Sequence, residues 1–418
     1  MTARLAWRNI WRNPTRSLVV MIAIMLGIYA AMFMSGFATG MARSYVNNAI
    51  QTMVGHIQVH VPAYQEEART AYYLPNPSDL SAFAKKQEGL AGYSLRTQVM
   101  GMAASSHGNR GVQIRGVDPE LEASVTDLDD LVADGDFFGE TRRNQILIGR
   151  KMAENLRVDL RSKVVLTFQD LSGTITAGAF RVTGIFESGN TGFDEGTVLV
   201  RQSDLNRLLV PVDSLLPDSL HLPESHLIAH EFTLLLDDPG QLDTIQGAFR
   251  NAFPGLLVEN YKELAPDLRL YESQIQNISI IYLAIILLAL VFGIINTMLM
   301  AVLERIKELG MLMAVGMNKG KVFSMIVLET LFLTLIGAPI GILLGHLTIT
   351  YFGRVGIDLS AFSTAMQEYG LSEQLFLELE PVVYYQIPIG VLITAVLAAL
   401  YPAWKAIRLR PVDAIHKI

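Results

Sequence analysis

Four long apolar blocks constrain the fold of this 418-residue chain more than any other feature of its sequence. Each block reaches the ~20 residues that an α-helix needs to cross about 30 Å of hydrocarbon. A mean hydropathy of +0.34 and a hydrophobic share of 51% are likewise typical of membrane proteins and not of soluble enzymes. We therefore predict transmembrane helices at residues 17–40, 277–303, 322–352 and 382–404. The first is expected to be retained, because its apolar run exceeds the roughly 7–15 residues of a cleaved signal peptide.

The distribution of charge orients these helices. Residues 1–16 contain four arginines and no acid, residues 304–321 four basic residues against two acidic, and residues 405–418 four against one. Segments rich in Lys and Arg stay on the cytoplasmic side, and four crossings allow all three to share it. The acidic loop 353–381 and residues 41–276, with 20 basic and 31 acidic residues and a net charge of −11, are therefore expected outside.

Residues 41–276 have the length and pattern of a folded domain inserted between the first and second helices. Alternation of apolar and polar residues predicts strands at 56–61, 113–117, 145–148, 164–168, 180–186 and 197–200. Helical patterns occur at 79–87, 150–156, 202–209 and 241–252. The irregular order predicts a mixed α+β domain, and a division into two lobes, split near residue 95 and rejoined near residue 235, stays open. The chain has no cysteine, so core packing alone must hold this domain together.

The first 16 residues predict a helix at the membrane interface. Arg4, Arg8 and Arg12 recur every four residues, tryptophans stand beside them, and Pro14 marks the bend into the membrane. The same arginines would also be explained by topology signalling alone.

A second amphipathic segment, 304–321, connects two crossings through too few residues for a domain. Apolar residues at the i, i+3, i+4, i+7 positions of one helix face are Leu309, Leu312, Met313 and Gly316. Charged residues at its start are Glu304, Arg305, Lys307 and Glu308. Gly316 and Asn318 predict the helix end. We expect a short helix on the membrane surface that docks into a partner's groove, and the alternative is an ordinary loop whose charges reach toward the interface.

Polar and small residues inside the third crossing indicate contacts between helices. Glu329 lies about two turns inside, where a carboxylate is costly unless it is paired or faces protein; a side chain reaching back toward Lys321 is the alternative. Asn296 in the second crossing is a candidate for a hydrogen bond between helices. A small-residue stripe that allows close backbone approach is formed by Gly337, Gly341 and Gly345.

The sequence contains no recognisable catalytic motif. The nearest approach to a phosphate-binding P-loop, residues 316–321 (GMNKGK), has three residues between its glycines instead of four and Val322 where Ser or Thr is needed. His56 and His60 would lie about 13 Å apart along a strand, too far to share a metal. His221, His226 and His230 lie in a segment flanked by prolines, and their spacing is not that of regular metal ligands. We predict no catalytic residue, metal site or cofactor, and the acidic balance argues against nucleic acid.

Several passages together resemble one family of membrane proteins. They are LAWRNIWRNPTRS at 5–17, ERIKELGMLMAVGMNKGKVFSMIVLE at 304–329, YPAWKAIRLRPVDAIHKI at 401–418 and, in the inserted domain, GHIQVH, VQIRGVDPE, ILIGRKMAENLRV and FRVTGIFESGNTGFDEG. The chain is similar to ABC-transporter permeases of the FtsX-like/MacB-type superfamily, and the passages in the inserted domain resemble the lipoprotein-releasing (Lol) branch.

This resemblance implies a non-catalytic permease in a bacterial inner membrane, with both termini cytoplasmic and the large domain periplasmic. It implies a dimer with a second permease, identical or paralogous, and two copies of a separate ATPase that binds ATP and Mg²⁺. The residues expected to couple to that ATPase are Glu304, Arg305, Lys307, Glu308, Leu309, Gly310, Met313 and Gly316. The expected cargo is lipoprotein or other lipidated molecules extracted from the outer leaflet and passed to a periplasmic acceptor.

Three other functions stay open. In an FtsX-like role the same motion would activate a periplasmic cell-wall hydrolase, although that group usually has a much smaller exported domain. In a MacB-like role the chain would serve efflux with a periplasmic adaptor and an outer-membrane channel. An enzyme built on the histidines at 221–230 is the least favoured.

Overall fold

The structure, a computed structural model, describes residues 2–139, 144–210, 227–368, 371–372 and 374–408. They divide into two units. The membrane unit comprises Met1–Arg43, Tyr271–Asp358 and Gln374–Ile418, and the inserted domain comprises Ser44–Leu270 and Leu359–Glu373. The predicted tail after residue 408 lies outside the described residues, as do His221 and His226.

The helices are named in chain order. They are α1 Thr2–Arg12, α2 Pro14–Ala49, α3 Pro62–Glu66, α4 Pro77–Ala84, α5 Pro119–Glu122, α6 Arg150–Leu156, α7 Thr191–Gly196, α8 Gln202–Leu209, α9 Leu242–Ala252, α10 Tyr261–Leu264, α11 Pro266–Glu304, α12 Ile306–Ala314, α13 Lys319–Val355, α14 Ser363–Glu368 and α15 Val383–Ile407. A π turn, Ile50–Val54, extends α2, and short 3₁₀ turns lie at Pro239–Gln241 and Ser360–Phe362.

The strands are named in the same way. They are β1 Ile57–His60, β2 Leu90–Ala104, β3 Asn109–Val117, β4 Val132–Gly135, β5 Gln145–Gly149, β6 Lys163–Gln169, β7 Ile175–Phe186, β8 Thr197–Arg201, β9 Glu231–Leu236, β10 Leu257–Asn260, β11 Ile357–Asp358 and β12 Gln374–Leu375. All six predicted strands and all four predicted helices of the inserted domain are present, whereas β2, β4, β9 and β10 were not predicted.

Four helical segments are long and apolar enough to cross a membrane. We name them the first to fourth crossings: Pro14–Val54, Ser273–Glu304, Lys319–Val355 and Val383–Ile407. Most of the inserted domain lies in sequence between the first and second crossings, and its short piece Leu359–Glu373 lies between the third and fourth. The predicted fold class, four transmembrane helices with a large α+β domain after the first, is thereby confirmed.

In the membrane unit, the third crossing packs against both the first and the fourth. Five of the buried residues of α15, the fourth crossing, are alanines, namely Ala395, Ala398, Ala399, Ala403 and Ala406. Toward the first, glycines of α13 approach the α2 backbone. Small side chains allow helices to come close where lipid supplies no hydrophobic driving force, so van der Waals contact holds this unit together.

The inserted domain is built on one sheet in the order β10-β1-β9-β2-β3-β8-β5-β7-β4, with β6 pairing to β2 and β7. The pairs β3–β8 and β5–β7 are parallel and the others antiparallel. Its two largest cores divide in sequence between residues 95 and 99 and between 228 and 229, close to the lobe limits of 95 and 235. The long strand β2 contributes to both cores.

Candidate functional site

Three polar side chains meet in the membrane unit at the start of the segment that joins the second and third crossings. Asn9 Nδ2 of α1 donates a hydrogen bond to Glu329 Oε1 of α13 at 2.6 Å. Arg305, between α11 and α12, places Nη1 3.3 Å from the same oxygen and donates from Nη2 to Asn9 O at 3.2 Å. We name these residues the inner cluster. It joins α1, the connecting segment and the third crossing through one carboxylate.

The inner cluster is shielded from solvent, which makes each partner depend on the others. Glu329 is 7% exposed, and the side chain of Arg305 is 12% exposed. Removing one member of a buried ion pair costs about 3–5 kcal/mol, because the remaining charge has lost its partner in a medium of low dielectric constant. The carboxylate therefore faces protein, and the alternative in which it reaches toward Lys321 does not occur.

Two further ion pairs lie beside the inner cluster. Arg12 pairs with Glu308 of α12, and Arg16 pairs with Glu304 at the end of α11. The pair Arg12–Glu308 is exposed on both sides, and such pairs contribute about 0.2–1 kcal/mol, whereas the side chain of Arg16 is only 18% exposed. The identity of the partners matters more than the strength of the pairs. From the sequence, Arg12 and Arg16 were expected to contact lipid or to set the topology, but they pair with glutamates of the connecting segment.

Packing adds an apolar contact between α1 and α13. The ring of Trp7 meets that of Phe332 edge-on, with centroids 5.6 Å apart. Ala6 and Ile10 on the same side of α1 are fully or almost fully buried. The N-terminal helix is therefore fixed to the third crossing by both polar and apolar contacts.

The connecting segment contains a helix, α12, that is shorter than the predicted 304–321. It ends in a Schellman motif: Gly316, at φ +100°, donates its N–H to Met313 O at 3.1 Å, and Met317 N donates to Leu312 O at 2.9 Å. This left-handed backbone conformation favours glycine, which has no Cβ. Gly316 thus stops the helix, and Asn318 caps the next one by accepting from Gly320 N at 3.2 Å.

The predicted apolar face of α12 is corrected by the structure. Leu309 and Gly310 are buried and Met313 is half-buried, whereas Leu312 is exposed and Gly316 lies beyond the helix end. The reason is that only the side of the helix next to the inner cluster packs against protein. The outward surface, which also carries Lys307, presents three large apolar residues: Met311, Leu312 and Val315.

The glycine stripe of the third crossing faces the first. A Cβ added to Gly337 would lie 2.9 Å from Met21 O, and one added to Gly341 would lie 2.7 Å from Met25 O. At Gly345 the nearest atom would be a methionine sulfur at 2.9 Å. Real Cβ atoms do not approach so closely, so these positions allow the two helices to be this near.

Asn296 does not behave as the sequence suggested. Its side chain is exposed on α11 and makes no hydrogen bond to any described residue of this chain. The most apolar stretch of the second crossing is only 11% buried, so most of its surface has no neighbour within the described chain. The predicted hydrogen bond between helices is therefore not formed within this single chain.

His230 and His60 make hydrogen bonds within the inserted domain. His230 is fully buried, accepts from Gln98 N at Nδ1 over 3.1 Å and places Nε2 2.9 Å from Thr70 O. His60 Nε2 lies 3.0 Å from Gln58 Oε1. Across the part of the chain that the structure describes, no three His, Cys, Asp or Glu residues are grouped as metal ligands.

Sequence reasoning missed Asn9, Arg12 and Arg16 as members of this site. A signal was present: Ala6, Asn9 and Ile10 follow the i, i+3, i+4 spacing of a helix face that packs on protein. The arginines gave no such signal, because their partners are about 290 residues away in sequence.

Comparison with known proteins found matches over both parts of the chain. Residues 17–252 match the family model of the MacB-like periplasmic core domain, and residues 280–411 match that of the FtsX-like permease C-terminal region. The lipoprotein-releasing system transmembrane protein LolC of Xylella fastidiosa is 23% identical over 318 residues, 72% of each chain. The macrolide export ATP-binding/permease protein MacB of Rhodopirellula baltica is 33% identical over 124 residues, 30% of this chain and only 16% of that protein.

Solved structures also align with part of the chain. The extracellular domain of YknZ, a noncanonic ABC-type transporter from Gram-positive bacteria, gives 15% identity and a TM-score of 0.33 over 49% of this chain and 99% of that one. The periplasmic region of MacB from Actinobacillus actinomycetemcomitans gives 9% identity and a TM-score of 0.35 over 54% and 97%.

Proposed function

This chain belongs to the FtsX/MacB family of ABC-transporter permeases, and from that premise we propose that it is a non-catalytic permease that transmits motion from a separate ATPase to its inserted domain. The observation that carries the proposal is the inner cluster. A push on α12 reaches Arg305 within one turn, and Arg305 is bound to Glu329 of the third crossing and to Asn9 of α1. These contacts form a stiff connection from the cytoplasmic segment into the membrane.

The outward surface of α12 is the part that we propose docks into the ATPase. Met311 and Leu312 of the nine-residue helix are 58% and 37% exposed, and Val315, at its C-cap, is 86% exposed. Short amphipathic helices bind in the grooves of partner proteins through apolar residues on one side. The ATPase, in two copies, would bind ATP and Mg²⁺, since the 418 residues contain no P-loop.

For the cargo, we propose lipoproteins or other lipidated molecules taken from the outer leaflet of a bacterial inner membrane and passed to a periplasmic acceptor. The alignment with LolC supports this choice, because it extends over 72% of both chains. The permease would work as a dimer, identical or paralogous, with N and C termini in the cytoplasm and the inserted domain in the periplasm. Charge distribution supports that orientation.

A second candidate is efflux with a periplasmic adaptor, as the match of residues 17–252 to the MacB-like core allows. A third is mechanical activation of a cell-wall hydrolase. The three differ in what binds the inserted domain: a lipidated protein and its acceptor, an adaptor protein, or a hydrolase.

The test is reconstitution of the chain with its ATPase and second permease in proteoliposomes loaded with a lipoprotein. We expect ATP-dependent release to a soluble acceptor in the wild type and its loss in Gly310→Trp, since Gly310 is buried and has no room for an indole. Lys319→Ala, at an exposed position outside α12, is the matched control and should release normally. Normal release by Gly310→Trp would count against the coupling role. ATP hydrolysis without release in the wild type would point to one of the other two functions.

A further inference from the structure

The helix α2 extends into the inserted domain, and the carbonyl groups of the π turn at its end are bound by other residues of that domain. Met53 O, in the π turn, accepts from Arg96 Nη1 at 2.9 Å and from Arg115 Nη1 at 3.2 Å. A helix C-terminus carries partial negative charge, so two guanidinium groups on one terminal carbonyl form a strong attachment.

Three further carbonyls of the π turn are bound as well. Gly55 N donates to Ile50 O at 2.9 Å, Asp127 N to Gln51 O at 3.3 Å and Gln58 Nε2 to Val54 O at 2.8 Å. Helices ordinarily leave their last carbonyls to water or to a cap. The bond to Ile50 O closes the turn itself, whereas the carbonyls of Gln51, Met53 and Val54 accept from residues outside the turn, so the end of the helix is held at three carbonyls.

The two arginines belong to a buried cluster with balanced charge. Arg96 is fully buried and pairs with Glu122 through Nη2–Oε1 at 2.7 Å and with Glu231 through Nη1–Oε1 at 2.7 Å. Burial opposes the charge on Arg96, but Glu122 and Glu231 raise its pKa above the ordinary value. Burial and the neighbouring Arg96 lower the pKa of Arg115 to about 10, which leaves it charged at neutral pH. Two cations face two carboxylates, a condition that buried charges need in order to be stable.

The position of this cluster in the sheet links both cores of the inserted domain. Arg96 lies on β2 next to Leu95 of one core and three residues before Val99 of the other. Glu231 begins β9, just after the change of core at 228–229. The carbonyl end of the first crossing therefore contacts the place where the two cores meet.

We propose that Arg96 and Arg115 are positioning residues that clamp the π turn at the end of α2 to the junction of the two cores, so that residues 44–54 and the two cores move as one rigid lever. The inference rests on the proposed function, since a lever is useful only if motion reaches the first crossing. It adds a specific point at which that motion would enter the two cores, namely the hydrogen bonds that Met53 O accepts from the two arginines. A π turn often marks a hinge, but this one is held at three carbonyls by residues outside the turn, and we expect it not to bend.

The experiment measures a distance across the clamp in the full complex with its ATPase in nanodiscs. The chain has no cysteine, so spin labels can be attached at Asn47→Cys, near the end of α2, and Ser106→Cys, in the β2–β3 loop, both exposed. We expect the distribution of distances between them to be narrow and the same in the nucleotide-free and ATP-trapped states. A shift larger than its width would show a hinge and overturn the proposal.

Variants then test the arginine directly. Arg115→Met removes one of the two donors to Met53 O and leaves Arg96 paired, and we expect the released junction to become about tenfold more populated. The distance distribution should broaden and lipoprotein release should fall, while ATP hydrolysis stays at the wild-type rate. Arg110→Met removes an exposed guanidinium from the same strand and should change none of these readouts.

The outcomes distinguish failure of the proposed clamp from failure of the proposed transport function. A folded Arg115→Met complex with the wild-type distance distribution and release would refute the clamp and leave the proposed function standing. If Arg115→Met does not fold, the label distances in the wild-type complex, compared between the two nucleotide states, still test whether the clamp is rigid. A wild-type complex that hydrolyses ATP without releasing lipidated cargo would refute the proposed function, whatever the label distances are.

Discussion

The inner cluster makes a quantitative prediction about Glu329. In Glu329→Leu, Arg305 loses its carboxylate and Asn9 Nδ2 loses its acceptor, while both remain largely buried. Full loss of a buried partner costs about 3–5 kcal/mol. Arg305 keeps its bond to Asn9 O, so we expect the free energy of unfolding to fall by about 2–3 kcal/mol.

A double variant separates pairing from packing. Arg305→Met combined with Glu329→Leu removes both charges and fills similar volume, and such replacements are often neutral or stabilising. We therefore expect the double variant to regain most of the stability lost in Glu329→Leu. The coupling energy from this double-mutant cycle should be at least about 1.5 kcal/mol.

The assay is unfolding of the purified chain in mixed micelles by SDS titration, followed by tryptophan fluorescence. Trp7 is a suitable reporter, because its ring packs on Phe332 beside the cluster. If Glu329→Leu loses less than about 0.5 kcal/mol, or if the double variant is less stable than both single variants, the three residues do not act as one buried pair. ATPase stimulation measured on the same variants would then separate stability from coupling.

Three further predictions concern other parts of the chain. Gly341→Ala should lower stability by about 1–3 kcal/mol, because its Cβ would lie 2.7 Å from a backbone oxygen. Gly293→Ala, in open space on the second crossing, is the control and should be neutral or stabilising. Thermal unfolding in detergent compares the two variants. Burial lowers the pKa of His230 from 6.5 to about 4, so between these values the unfolded state takes up a proton that the native state does not, and stability should fall on the order of 3 kcal/mol as the pH drops. His230→Asn should flatten that dependence in denaturant titrations at several pH values. Val315→Asp, at the exposed C-cap of α12, should leave stability unchanged within about 0.5 kcal/mol but weaken co-purification of the ATPase.

Much of the architecture could be predicted from local patterns. The crossings follow from apolar length, and a strand such as β6 follows from the alternation of buried residues with more exposed ones. The helices α6 and α8 begin and end at the predicted residues. In each case the information lies within about a dozen residues, which is the range over which periodicity operates.

The strand β2 was missed because its burial breaks the alternation rule. Residues 94–99 are buried on both faces, and four of them are polar or charged. Their partners come from distant segments: Arg96 pairs with Glu122 and Glu231, and Thr97 donates to Ile228 O. Buried polar residues read as solvent-exposed from sequence alone, so the strand at the centre of the domain was not recognised.

The same reason explains what sequence could and could not reveal of the site. Glu329 stood out because a carboxylate within an apolar helix needs a partner. Its partners, Asn9 and Arg305, are common residues in polar segments and become identifiable only when the fold brings three helices together. The outward surface of α12 likewise depends on which side the neighbouring helices cover.

The central claim is that ATP turnover in a separate subunit reaches the inserted domain as displacement. The most direct measurement is the distance between spin labels at Ser106→Cys, or its equivalent, on the inserted domains of the two permeases in the assembled complex. We predict that this distance changes when ATP is trapped in the ATPase and stays constant in the Gly310→Trp variant. Identical distances in the ATP-trapped and nucleotide-free wild-type complexes would contradict the account.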